Sequence, residues 1–71
     1  MQFSKELLKL VSRAVAAQTR EHNDRRGYSS EGSVNAVQEQ AKKEGYTAIR
    51  WPGLYPEVRT TDGHWHTVTR H

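Results

Sequence analysis

The chain reads as an α+β protein of order ααβββ, with two amino-terminal helices packed on a carboxy-terminal three-stranded antiparallel sheet. Three observations carry that reading. Apolar residues recur every three or four positions from Phe3 to Val15, the spacing of one helical face. After Gly45 the period changes to two, the alternation of a half-buried strand. Asp62-Gly63 then stands between two alternating runs, a strong short-range hairpin signal. Residues 1–71 are expected to form one small domain.

The first helix is expected over about residues 4–22. Phe3, Leu7, Leu10, Val11, Ala14, Val15 and Gln18 share its apolar face, Ser4 stands at the N-cap, and Asn23, Asp24 and Gly27 supply the stop. The polar stretch NDRRGYSSEG follows as a connector rich in turn formers. A second helix, over about residues 30–44, carries Val34, Val37 and Ala41 on a narrow stripe. Lys42 and Lys43 suit its carboxy-terminal end, and Gly45 suits the left-handed position just beyond. Gly32 and two β-branched residues lower its intrinsic helicity, so tertiary packing must hold it.

Strands are expected at about residues 46–51, 57–61 and 64–70. In the first, Thr47, Ile49 and Trp51 face one way, with Tyr46, Ala48 and Arg50 facing the other. Pro52-Gly53 fits the centre of a type II turn. A two-residue loop at Asp62-Gly63 pairs Thr60 with Trp65 and Arg59 with His66. Val58, Thr60, Trp65 and Thr67 then share one face, expected to be the core face because the indole is the largest side chain available. His64, His66, Val68 and Arg70 fall on the other face with Glu57, Arg59 and Thr61. The run SVNAVQEQAKKEGYTAIRWPG…TTDGHWHTV resembles the recognition helix and wing of winged helix-turn-helix domains. It departs from them in having only one helix before it and a mixed outward helix face of Asn35, Gln38, Glu39 and Lys42.

A chain of 71 residues buries only about 60% of the surface its unfolded form exposes. With no cysteine there is no disulfide or thiolate metal site to staple it, and that composition fits a reducing, cytoplasmic setting. Six of the hydrophobic residues are alanines, so the core is thin and a homodimer or partner surface would add to it. The net charge of +3 lies wholly in the excess carried by residues 1–26. Lys9 and Arg13 interrupt the apolar run there and Glu6 disfavours a mitochondrial presequence, so the segment is expected to be a structural helix rather than a leader. No stretch approaches the ~20 apolar residues of a membrane span, and no membrane partner is expected.

Two functional readings follow, both non-catalytic and without a cofactor. In the first the protein binds nucleic acid in the cytoplasm. Lys5, Lys9, Arg13 and Arg20 form a basic ridge on the first helix; Arg25 and Arg26 extend it, and Arg59 and Arg70 make a second patch. In the second it is an accessory or inhibitory interaction factor, of the kind phages and mobile elements encode, gripping an acidic or other protein surface through the Trp51–Pro56 loop, with Trp51, Leu54 and Tyr55, and the exposed sheet face. Ser29, Ser30 and Ser33 are accounted for as caps and turn formers, and no histidine has a partnered acid, so an enzyme is not expected. His64 and His66 come nearest to a metal pair, but they lack a third ligand and Arg59 would oppose a cation.

Overall fold

The computed structural model describes residues 2–23 and 29–69. Its elements are α1 (Lys5–Asn23), α2 (Glu31–Lys43), β1 (Ala48–Arg50), β2 (Glu57–Arg59) and β3 (Trp65–Thr67), and the strands form one antiparallel sheet in the order β1-β2-β3. The expected ααβββ arrangement is therefore present.

Local chemistry sets the helix ends. The Ser4 hydroxyl oxygen accepts the Leu7 amide at 3.0 Å, capping α1. The same hydroxyl donates to the Glu44 carboxylate at 2.7 Å, and Gln40 Nε2 donates to that same oxygen at 2.7 Å. The start of α1 is thereby tied to the end of α2. Past Lys43, the Tyr46 amide donates to the Ala41 carbonyl and the Gly45 amide to the Lys42 carbonyl, each at 3.1 Å. These are the two bonds of a Schellman motif, and they require Gly45 at φ 95°.

Gly32 lies inside α2 with no positive φ and open space where a Cβ would stand. The two glycines should therefore respond oppositely to alanine. Gly45→Ala should destabilise by about 1 kcal/mol or more, whereas Gly32→Ala should stabilise by about 0.5–1 kcal/mol. Urea unfolding followed by circular dichroism checks both signs.

The strand pairing differs from the sequence expectation by one residue. Glu57 pairs with Thr67, Val58 with His66 and Arg59 with Trp65. The Thr60 amide donates to the His64 carbonyl and the Gly63 amide to the Thr60 carbonyl, each at 3.0 Å, with Gly63 at φ 89°. This is a three-residue loop ending on a left-handed glycine, not a two-residue one. Asp62 braces it, accepting from the Thr60 hydroxyl and from the His64 amide.

That shift changes which face is the core. Ile49, Val58 and His66 form one row on the covered face. Val68 follows His66 by two, and its amide donates to the Pro56 carbonyl at 2.9 Å. Val58 and Val68 are fully buried, and with Leu7, Val11, Ala14, Val37 and Ala41 they make one hydrophobic cluster. Phe3, Leu10, Val34, Ile49 and Trp51 pack partly buried around it. Trp65 instead faces outward, so the expected core face of Val58, Thr60, Trp65 and Thr67 does not form. Apolar burial of two valines outweighs burial of one indole, because the indole has another means of cover.

The strands are also shorter than expected, at three residues each. Tyr46 spends its amide on the α2 terminus, and Pro56 has no amide to donate back to the first strand. Gly53 does not take the positive φ that a type II turn at Pro52-Gly53 requires, so that turn is absent and residues 52–55 form a series of bends.

Candidate nucleic-acid interface

On a helix of 3.6 residues per turn, Lys5, Lys9, Arg13 and Arg20 fall within roughly 80° of one another. All four are exposed on α1, opposite the buried line of Leu7, Val11 and Ala14. Lys5, Lys9 and Arg13 enter no ion pair among the described residues, whose one salt bridge joins Arg50 to Glu57. Arg20 extends the ridge but is already engaged in an interaction. Three uncommitted cations thus span eight residue-to-residue steps, about 12 Å at the α-helical rise.

The ridge is not flanked by bare solvent alone. Lys5, Leu8, Lys9, Ser12 and Arg13 line a hollow of about 490 Å³. Beside it, Leu8, Val11, Ser12, Val15, Ala16 and Tyr55 enclose a groove of about 250 Å³. Leu8 and Ser12 belong to both, so cations and the Tyr55 ring border one continuous surface. Tyr55 is 40% exposed and Leu54 52% exposed. The sequence places Tyr55 thirty-two residues beyond the end of the first helix, and only the fold brings it to the ridge.

The remaining expected site residues separate. Arg25, Arg26 and Arg70 lie outside the described residues. Trp51 is not a free surface ring: it packs partly buried against the core, and its indole nitrogen is buried without an acceptor. Arg59 sits on the outward face, opposite Trp65, while His66 sits on the covered face opposite Val58. The grouping of Arg59 with His66 therefore fails, since neighbouring strand positions point to opposite sides. Among the described residues, no three or more His, Cys, Asp or Glu side chains are placed to hold a metal ion. Nor is any described helix long and apolar enough to cross a membrane.

The outward sheet face holds a cluster that the sequence reading missed. The rows are Ala48–Arg59–Trp65 and Arg50–Glu57–Thr67. The Arg50 guanidinium lies over the Trp65 ring at 4.0 Å from its centroid. Arg50 Nε donates to Glu57 Oε1 at 2.6 Å, and the Thr67 hydroxyl donates to Glu57 Oε2 at 3.4 Å. The cation–π contact stabilises by about 0.5–1 kcal/mol at such a site and explains how Trp65 can face water. The run Thr60-Thr61-Asp62-Gly63 suits the three-residue loop as well as a two-residue one, so by itself it does not signal this register.

One carboxylate joins the two helices. Glu21 Oε2 accepts the Ser30 amide at 2.6 Å. Hydrogen bonds from the Ser30 hydroxyl and then its amide hold the Glu21 carboxyl below its ordinary range. A depressed folded-state value contributes stability above the unfolded value and loses it as pH falls through the folded one. Glu21→Gln should accordingly lower stability at neutral pH, leave it little changed below the folded-state titration, and so flatten the acid limb of the profile. Urea midpoints measured across the carboxylate titration range check this.

No family model matches the chain, and no curated protein or solved structure matches it.

Proposed function

We propose that this is a non-catalytic nucleic-acid-binding protein that grips the phosphate backbone through α1. The observation that carries the reading is the set of Lys5, Lys9 and Arg13, aligned on one exposed helix face with no carboxylate partner among the described residues. Lysine offers a mobile point charge, and arginine can fork two donors onto one phosphate. Ser12 and Ala16 beside them are small enough for a backbone to approach closely. Tyr55, at the border of the same surface, offers a ring on which a base can rest. These contacts position a strand and do not read its sequence.

The test is a salt titration with fluorescently labelled single strands and duplexes. Log affinity should fall linearly with log salt, at about −0.7 per contact on single strands and about −0.9 on duplex. An affinity independent of salt overturns the reading. One observation favours a second reading, a protein-interaction factor: Leu54 and Tyr55 are exposed large hydrophobics beside an apolar groove. That reading predicts a partner captured equally well with and without nuclease, and lost in Tyr55→Ala.

A further inference from the structure

We infer that the Arg50–Trp65 pair on the outward sheet face is a preorganised stacking platform for a nucleobase of a single strand. The inference rests on the nucleic-acid reading but on different residues. Trp65 supplies the floor, and the Arg50 guanidinium lies over it at stacking distance. Glu57 fixes the guanidinium through Nε, and Thr67 in turn steadies the other Glu57 oxygen.

Half of the Arg50 side chain remains exposed, at 51%. Side-chain surface not engaged by the indole or by Glu57 is therefore still open to a second contact. Bases stack on guanidinium planes as well as on aromatic rings, so a base can extend the column from Trp65 through Arg50. The face around it suits a strand. Ala48 and Thr67 are low, and Arg59, cross-strand from Trp65, is exposed and enters no ion pair among the described residues. Its charge is available for the adjoining phosphate, whereas Arg50 is neutralised by Glu57 and serves as surface.

A single strand is the occupant these features select. In a duplex the bases are already stacked and paired, and a flat sheet face cannot reach between them. Stacking is also indifferent to base identity, which fits a site with one fixed plane and few hydrogen-bonding groups.

The experiment compares an oligothymidine with an abasic strand of the same length, in a Tyr55→Ala background that removes the exposed ring beside the α1 ridge. The base-bearing strand should bind about tenfold tighter than the abasic one, the range expected for one stacked base. Arg50→Lys keeps the charge but removes the plane, and should bring the two strands together without changing abasic binding. As an independent measurement in unsubstituted Arg50 protein, Trp51→Phe leaves Trp65 as sole tryptophan. Its emission should change with the oligothymidine and not with the abasic strand. Equal, salt-dependent binding of both strands, or discrimination that persists in Arg50→Lys with silent Trp65 emission, overturns this inference and leaves the phosphate grip standing. Absence of binding to either strand overturns both.

Discussion

Leu7→Ala should leave much of the protein unfolded at room temperature. Leu7 is completely buried, and it belongs to the one cluster that joins α1 to α2 and to the sheet through Val58 and Val68. Truncating a buried leucine costs about 2–5 kcal/mol, from lost transfer energy plus the cavity left behind. A core of this size rarely supplies more than about 3–5 kcal/mol in total. The two quantities overlap, so a single methyl-bearing branch decides whether the fold persists. Circular dichroism and urea unfolding check the outcome, with Leu54→Ala as the contrast. Leu54 is mostly exposed and its truncation should stay within about 0.5 kcal/mol. A Leu7→Ala protein with an undiminished unfolding midpoint would show that the cluster is not what holds the elements together.

The second large effect is expected from Lys9→Glu combined with Arg13→Glu. Both positions are exposed and glutamate is a good helix former, so the fold should survive. Removing two phosphate contacts should make the log–log salt slope shallower by about 1.4 on single strands and about 1.8 on duplex. Extrapolated from that slope, affinity for duplex at about 50 mM salt should drop roughly a hundredfold. The loss should be nearly the same for every sequence, because contacts to phosphate carry no base information. Affinity unchanged by the double reversal would remove the ridge from the interface. Loss for some sequences and not others would mean that α1 reads bases.

What could be foreseen from the sequence was decided by local chemistry. Ser4 as a cap and Gly45 as a terminator act within six residues of chain, and both are where the pattern put them. The hairpin register was not local. Asp62-Gly63 fits a two-residue loop and a three-residue loop alike, and the choice falls to Thr60, which adds a hydroxyl bond to Asp62, and to Val68. A two-residue loop puts Val58 and Val68 on opposite faces. The observed one buries both. Giving priority to Trp65 obscured that, because the covering Arg50 sits on a different strand and is recognisable only once the strands are paired. The ridge was legible from periodicity alone, but its junction with Tyr55 depends on how the 52–55 bends fold back against α1.

The order β1-β2-β3 leaves both outer strands as edges, and each is only three residues long. An open edge is a template onto which a foreign strand can add, and short length is one of the ways natural sheets suppress this. Here an incoming strand would find few backbone groups to pair with before meeting the Schellman turn on one side or the glycine-ended loop on the other. Concentrated solutions of the folded protein should therefore resist fibre growth by edge addition.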